Sequence, residues 1–216
     1  MPNLSAVMKN SLRPVCAITP VGSGAGILAE EVHIALDAGI RWVQFRRKGE
    51  TRRQLYDEAE EIRELTREYG ALFIVNDFAD IALAVGADGL HIGQDDLPLR
   101  EARKLMGSKI IGVSTHNLKE AVDAEHAGAD YIGFGPIFQT VTKETGPPKG
   151  LESLEEIVHA VTIPVIAIGG INVGNADSVF SAGCDGVAVS SGIFSGDITA
   201  NITDFLYNVI RLNGSV

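Results

Sequence analysis

The chain has 216 residues, of which 45% are hydrophobic and 21% charged, so it is long enough to bury a substantial core as one domain. Its formal net charge of -10 at pH 7 excludes the broad basic surface that nucleic-acid binding requires. No apolar run approaches the roughly 18 residues that span a membrane, and the first 13 residues lack the continuous apolar segment of a secretory signal. We therefore expect one domain over residues 1–216, with residues 1–13 as an N-terminal extension or helix.

Short apolar runs alternate along the chain with amphipathic stretches of helical length. The runs that predict strands are Val15–Thr19, Trp42–Arg46, Ala71–Asn76, Gly89–Gly93, Lys109–Ser114, Tyr131–Pro136, Pro164–Gly169 and Gly186–Ser190. The helical patterns lie near residues 27–38, 52–69, 78–85, 98–106, 117–127, 151–160, 174–182 and 198–211. Continuous apolar strands separated by helices pair in parallel with both faces covered. Eight such units predict a single (β/α)8 TIM barrel of the α/β class, with a doubly wound open sheet as the alternative.

A weak internal repeat supports the count of eight strands. It consists of Gly39-Ile40-Arg41, Gly86-Ala87-Asp88, Gly128-Ala129-Asp130 and Gly183-Cys184-Asp185, each of which ends a helical pattern and leads into a strand. A glycine just beyond a helix adopts the left-handed conformation at little cost. Because each interval holds two strand–helix units, the repeat marks the second, fourth, sixth and eighth strands.

The two cysteines, Cys16 and Cys184, are too few for a disulfide framework. Both lie in apolar segments, which indicates buried thiols and fits a reducing, cytoplasmic compartment.

A cationic cluster, Gln44-Phe45-Arg46-Arg47-Lys48, follows the second predicted strand. An acidic chain has no diffuse basic field, so an anionic substrate must be held by a local site. Arginine offers a planar fork to phosphate oxygens and lysine a compact charge. Active sites of these barrels lie at the C-terminal ends of the strands, so the cluster predicts an anion site. The alternative is that these charged side chains only face solvent where the strand ends and bind nothing.

Polar residues and glycines follow the later strands as well. They are Asn76, Asp77, Gln94, Asp95, Asp96, Ser114, His116, Thr140, Thr142, Lys143, Gly169, Gly170, Ser190, Ser191 and Gly192. Asp77 and Asp96 could converge on Mg²⁺, which prefers oxygen ligands, although both could instead cap the helices that follow. Glycines and serines after the last two strands suit a phosphate group, or else form tight turns.

Taken together, these motifs resemble the thiamine phosphate synthase family from about Pro14 to Leu212. The matching segments are Gln44–Lys48, Asn76-Asp77, His91–Leu97, Gly112–Ser114, Gly135–Phe138, Thr140–Lys143, Ile168–Ile171 and Ser190-Ser191. The resemblance implies an Mg²⁺-assisted transferase that joins a hydroxymethylpyrimidine diphosphate to a thiazole phosphate and releases diphosphate.

The resemblance also implies roles for individual residues. Those that would hold the pyrimidine diphosphate are Gln44, Arg46, Lys48, Asn76 and Lys143, and Ser114 would contact the pyrimidine. Asp77 and Asp96 would bind Mg²⁺. The thiazole phosphate would be held by Thr140, Thr142, Gly170, Ser190 and Ser191. The neighbours Phe45, Arg47 and Val141 belong to the same binding segments, and the catalytic group would be Arg46, Lys48, Ser114 and Lys143.

The chain departs from the family pattern at Arg47, where an acidic residue is usual, and at Thr19-Pro20, where Thr-Asp is usual. A thiazole tautomerase of the same superfamily is an alternative, with His116 as general base. A non-catalytic sensor of phosphate ligands is another. The expected partners are small-molecule substrates, with neither nucleic acid nor membrane, and a homodimer is expected because related barrels often dimerise.

Overall fold

The computed structural model describes residues 15–20, 22–140 and 146–213. Three expected site residues, Val141, Thr142 and Lys143, lie outside the described residues, as does the expected N-terminal extension at residues 1–13.

Eight parallel strands close into one barrel in chain order, and the last strand pairs with the first. The strands are β1 (Val15–Ile18), β2 (Trp42–Phe45), β3 (Leu72–Asn76), β4 (Gly89–Ile92), β5 (Ile110–Thr115), β6 (Tyr131–Phe134), β7 (Val165–Ile168) and β8 (Gly186–Val189). The predicted TIM barrel is confirmed and the open sheet is wrong. Most strands end one or two residues earlier than predicted, since the chain there turns away into the site loops.

Helices follow the strands and cover the outside of the barrel. Those in the described residues are α1 (Ala25–Asp37), α2 (Arg52–Glu68), α3 (Ala79–Ala84), α4 (Leu99–Met106), α5 (Leu118–His126), α6 (Gly150–Ala160), α7 (Ala176–Ser181), α8 (Ser191–Phe194) and α9 (Ile198–Asn213). The short α8 was not predicted, because four residues carry no helical periodicity. None of the helices in this part of the chain is long and apolar enough to cross a membrane.

The glycine repeat has the predicted conformation. Gly39, Gly86, Gly128 and Gly183 have φ angles of 111°, 64°, 88° and 92°, each just beyond a helix. The aspartates of the repeat add a second function that the pattern did not predict. The backbone N–H of Asp88 donates to the carbonyl of Phe73 at 2.9 Å, while the N–H of Phe73 donates to the Asp88 carboxylate at 2.9 Å. The same pair of bonds joins Asp130 to Ile111 and Asp185 to Val165, so the repeat fastens strand pairs at the N-terminal end of the barrel.

Large side chains fill the barrel interior. The rings of Trp42 and Tyr131, each 1% exposed, meet edge to face with centroids 5.2 Å apart. The strand register places His91, Gly112 and Tyr131 side by side on β4, β5 and β6. A Cβ on Gly112 would lie 2.0 Å from Cζ of Tyr131, so the glycine provides the room that this phenol occupies. The interior is therefore a packed core, and any ligand must bind above it.

Both cysteines are free and buried, as predicted. Burial raises the pKa of the Cys16 thiol well above its ordinary value, so the thiol stays protonated and unreactive at neutral pH.

Candidate active site

An open pocket lies at the C-terminal ends of the strands. Its polar lining brings together residues from strand ends far apart in the sequence: Arg46, Ser114, His116, Thr140, Ser190 and Ser191. Gly169 and Gly170 form part of its wall, and Ile18, Ile168 and Ile171 supply apolar surface. A concave site with a mostly apolar wall and a few convergent polar groups is typical of a small-molecule site.

The cationic cluster divides between the two faces of β2. Arg46 lines the pocket, and Gln44 lies inside the barrel, where its Nε2 donates to Oδ1 of Asn76 at 2.8 Å. Phe45 is 1% exposed in the layer between strands and helices. Lys48 lies beyond the strand and is exposed.

Arg47 faces the helices, because successive side chains of a strand point to opposite faces. Its Nε and Nη2 donate to the two carboxylate oxygens of Glu58 on α2 at 2.8 and 3.0 Å. Glu50 lies 3.4 Å from the same guanidinium. The geometry therefore does not support a substrate-binding role for Phe45 or Arg47, since both point away from the pocket.

Asn76, the last residue of β3, forms a polar cluster with Asp77 and Asp96 on the loops after β3 and β4. Asn76 Nδ2 donates to Oδ1 of Asp77 at 2.5 Å, and the backbone N–H of Gly93 donates to Oδ2 of Asp96 at 2.6 Å. Asp77 has a φ of 66°, a left-handed conformation that aspartate tolerates better than most residues. Neither carboxylate caps a helix, because the cap residues of α3 and α4 are Phe78 and Pro98 and neither has a side-chain cap bond.

The two carboxylates of this cluster interact with each other. Burial, and then the hydrogen bond and charge of Asp96, raise the pKa of Asp77 from 3.8 to about 6. The positive charge of Arg46 acts in the opposite direction and lowers it. Within the described residues no lysine or arginine forms an ion pair with either carboxylate.

A divalent cation would suit this pair. No cluster of three or more His, Cys, Asp or Glu side chains that could hold a metal occurs in the described part of the chain. A complete protein cage is therefore absent there, but Mg²⁺ commonly binds through one or two carboxylates, with water and substrate phosphate as the other ligands. Two neighbouring carboxylates that form no ion pair with a described lysine or arginine fit that requirement.

Ser114 connects the pocket to the barrel interior. Its hydroxyl lies 2.9 Å from Nε2 of His91, and Nδ1 of that ring lies 2.9 Å from the phenol oxygen of Tyr131. His91 is buried, as expected for a histidine on an inward-facing strand position. Nε2 of Gln94, on the loop after β4, donates to the backbone carbonyl of Ser114 at 2.6 Å and holds the C-terminal end of β5 in place.

His116, the expected base of the alternative isomerase, also lines the pocket. Its Nδ1 lies 3.0 Å from Oε2 of Glu120, which also accepts the backbone N–H of His116 at 2.8 Å.

The loop after β7 is shaped by close backbone contacts. Gly169 and Gly170 have φ angles of 98° and 66°. A Cβ on Gly170 would lie 2.5 Å from the carbonyl oxygen of Gln139, and Nδ2 of Asn175 donates to the Gly170 carbonyl at 2.9 Å. Only glycine fits here, so the backbone itself forms this side of the pocket.

Some residues in and around the pocket were not predicted from the sequence. Thr115 and Pro136 line the pocket. Thr19, the buried residue that follows β1, hydrogen-bonds the backbone of Arg46. Thr19 follows a strand, like the predicted residues, but an isolated buried threonine carries no chemical signature of a site.

Known proteins are similar to this chain over most of the barrel. The family model described as thiamine monophosphate synthase matches residues 15–193. A thiamine-phosphate synthase of Moorella thermoacetica is 51% identical over 203 residues, which cover 93% of this chain and 96% of that protein. One of Chloroflexus aurantiacus is 51% identical over 167 residues, or 77% of each chain. The solved thiamine phosphate pyrophosphorylase of Pyrococcus furiosus is 38% identical, with a TM-score of 0.86 over 95% of this chain and 100% of that one.

Proposed function

Because the chain belongs to the thiamine monophosphate synthase family, we propose that it condenses 4-amino-2-methyl-5-hydroxymethylpyrimidine diphosphate with 4-methyl-5-(2-phosphoethyl)thiazole. The products are thiamine phosphate and diphosphate. One observation carries the proposal: Arg46 lines the same pocket as Gly170, Ser190 and Ser191, and its charge reaches Asp77 beside the pocket. The site therefore offers one place for a diphosphate with a cation and another for a phosphate monoester.

The pyrimidine diphosphate would lie against β2, β3 and β4. Arg46 presents a guanidinium to the pocket, and Gln44 and Asn76 form a hydrogen-bonded pair just below it. Lys48 is exposed and can extend over the diphosphate. Lys143, outside the described residues, is assigned to the same group from the family resemblance.

Asp77 and Asp96 would hold Mg²⁺, which when bound neutralises charge on the diphosphate oxygens. The loop geometry supports this assignment, since the left-handed backbone of Asp77 brings its carboxylate into contact with Asp96 rather than to the start of α3.

The reaction needs no protein nucleophile. The bond between the pyrimidine methylene carbon and the diphosphate oxygen breaks, and its electron pair leaves with diphosphate. The lone pair of the thiazole nitrogen then forms the new C–N bond to that carbon. The protein's contribution is to hold the leaving group among positive charges and to align the two rings. Removing one charge contact costs about 2–4 kcal/mol of barrier.

The thiazole phosphate would lie at β6 to β8. Backbone N–H groups of the glycine-rich turn can approach its oxygens closely, and Ser190, Ser191 and Thr140 offer hydroxyls. Thr142 and Val141 are assigned here from the resemblance and lie outside the described residues.

A thiazole tautomerase is the second candidate, because His116 lines the pocket and its ring is oriented by Glu120. An isomerase has no need of the carboxylate pair, of Arg46 or of a diphosphate site. A phosphate-ligand sensor would bind both compounds without turnover.

The deciding experiment is a diphosphate-release assay with both substrates, with Mg²⁺ and with EDTA. We expect release that depends on both substrates and on Mg²⁺. Isomerisation of the thiazole phosphate without added pyrimidine and without Mg²⁺ would support the tautomerase instead. Binding of both substrates without release would support the sensor.

The proposed compartment is the cytoplasm, on the ground that both cysteines are free and buried. A homodimer is also proposed, from the family resemblance, and light scattering of the purified protein tests it.

A further inference from the structure

The barrel interior below the pocket contains two buried titratable residues that the proposed chemistry does not use, His91 and Tyr131. They form a row that ends at a pocket-lining hydroxyl: Tyr131 Oη to His91 Nδ1 at 2.9 Å, and His91 Nε2 to Ser114 Oγ at 2.9 Å. The direction in which each hydrogen bond donates decides what Ser114 presents to a ligand.

The phenol fixes that direction. Tyr131 is 1% exposed, and burial raises the pKa of its phenol well above the ordinary value, so the phenol keeps its proton. In the part of the chain that the structure describes, Nδ1 of His91 is the hydrogen-bond partner given to the phenol oxygen, at 2.9 Å, and a protonated phenol donates to it. A reversed bond would leave the phenol O–H without this partner, and a buried donor that loses its acceptor costs about 1–3 kcal/mol.

The imidazole transmits the direction to the pocket. If Nδ1 accepts from Tyr131, the single proton of a neutral ring is on Nε2, and that N–H donates to Ser114 Oγ. The serine proton is then directed away from His91, toward the pocket that Ser114 lines. Ser114 therefore presents a hydrogen-bond donor, whereas the opposite tautomer would make it an acceptor.

We propose that the Tyr131–His91 pair are positioning residues that fix Ser114 as a donor to a ring nitrogen of the pyrimidine, and not as an acceptor from its exocyclic amine. This specificity role rests on the proposed function, because it assumes that the pyrimidine lies at Ser114. Two glycines beside Tyr131 and His91 leave the space that these side chains occupy. A Cβ on Gly112 would lie 2.5 Å from the phenol oxygen, and one on Gly133 would lie 3.3 Å from Cε1 of His91.

The first test reads the tautomer directly in the unmodified protein. The ¹⁵N and ¹H spectrum of histidine-labelled enzyme at pH 7.5 is expected to show His91 as a neutral ring protonated at Nε2. The signal is assigned by its loss in His91→Gln. A ring protonated at Nδ1, or an imidazolium, would overturn the proposal. This measurement needs no substrate, so it stands whether or not the condensation is observed.

The second test separates positioning from stability. Tyr131→Phe removes the phenol O–H and frees the ring of His91 to change tautomer. We expect KM for the pyrimidine diphosphate to rise about tenfold, with KM for the thiazole phosphate unchanged. Tyr207→Phe, at a residue 64% exposed, is the matched control and should change neither constant. An unchanged pyrimidine KM in a folded Tyr131→Phe protein would overturn the proposal.

The third test identifies the atom on the ligand. Pyridine analogues of the pyrimidine diphosphate, each with one ring nitrogen replaced by CH, are measured as competitive inhibitors, together with an analogue that lacks the exocyclic amine. In wild type, one of the pyridine analogues should bind about tenfold more weakly than the parent compound. In Ser114→Ala, that analogue and the parent compound should bind equally well. If Ser114→Ala instead removes discrimination against the deaminated analogue, Ser114 is an acceptor and the proposal fails. If the enzyme shows the Nε2–H tautomer but no diphosphate release, the proposed function fails and the donor orientation of Ser114 stands.

Discussion

The hydroxyl of Thr19 bonds to both backbone polar groups of Arg46. Its oxygen accepts a hydrogen bond from the Arg46 N–H at 2.7 Å, and its O–H donates to the Arg46 carbonyl at 2.9 Å. The threonine is fully buried at the end of β1, while Arg46 is the residue that follows β2 and lines the pocket. The Thr19 side chain thus fixes the backbone of Arg46, the cationic residue of the pocket, just beyond the last paired residues of β1 and β2.

Thr19→Val keeps the shape of this residue and removes its hydroxyl. Two half-buried backbone groups then lose their partner, which costs about 1–3 kcal/mol of stability and loosens Arg46. We expect kcat/KM for the pyrimidine diphosphate to fall about tenfold, and Thr19→Ser to restore most of it. Thr66→Val is the control, since Thr66 is equally buried and bonds a carbonyl on α2 away from the pocket. Equal kinetics for Thr19→Val and Thr66→Val would contradict the positioning role.

Arg47 is expected to stabilise the fold without touching the substrate. Arg47→Met leaves the carboxylate of Glu58, 8% exposed, without its bidentate partner, and breaking a buried pair costs about 3–5 kcal/mol of unfolding free energy. Replacing both partners, in Arg47→Met with Glu58→Leu, should recover most of that loss. Chemical denaturation of Arg47→Met, of Glu58→Leu and of the double variant measures the coupling. If Arg47→Met raised KM for the pyrimidine diphosphate tenfold and left stability unchanged, Arg47 would bind the substrate and the structural role would be wrong.

Much of this architecture could be predicted from the sequence. Alternating apolar runs and helical patterns gave eight strands, and the glycines of the repeat marked helix ends, because both signals are local and periodic. The separation of Arg46 from Arg47 also follows from strand alternation. The partner of Arg47 could not be predicted, since Glu58 is one of several acidic residues on α2 and only the packing of that helix selects it.

Other features depend on register and loop conformation, which the sequence does not display. Thr19 reaches Arg46 because β1 and β2 pair with Ile18 beside Gln44. Asp77 was open to interpretation as a helix cap, and its left-handed backbone directs it to Asp96 instead. His91 and Tyr131 are 40 residues apart and meet only because β4, β5 and β6 are neighbours in the closed barrel.

The carboxylate pair predicts that Mg²⁺ binding depends on pH near 6. In the metal-free protein the pKa of Asp77 is raised to about 6, so the proton is held more tightly in the folded than in the unfolded chain. This contribution therefore stabilises the fold fully at pH values below 3.8, the ordinary pKa of the carboxyl. It is lost as the pH rises through about 6, the pKa in the folded protein. Mg²⁺ requires the ionised carboxylate and competes with that proton.

The measurement is the shift of the thermal midpoint on adding Mg²⁺ at pH 5, 6, 7 and 8. We expect a clear upward shift at pH 8 that decreases through pH 6 and is lost at pH 5. Asp77→Asn should remove the Mg²⁺ effect at every pH. Asp95→Asn, at an exposed neighbour of Asp96, should retain it. A shift in Asp77→Asn equal to that of wild type would remove Asp77 from the metal site.

Gly112→Ala should disturb both the barrel interior and the site above it. A methyl group here would lie 2.0 Å from Cζ of Tyr131 and 2.5 Å from its oxygen, far inside contact distance, so the phenol must move. Overpacking of a core costs about 1–3 kcal/mol, and displacement of Tyr131 also breaks its bond to His91. We expect a lower thermal midpoint and a raised pyrimidine KM. Gly26→Ala is the control, because Gly26 lies in the first turn of α1 with nothing within 4 Å of its Cβ position, and alanine there should be neutral or stabilising. If Gly112→Ala is as stable and active as Gly26→Ala, the barrel interior has more room beside Tyr131 than these distances allow, and the row from Tyr131 to Ser114 is not held in place by packing.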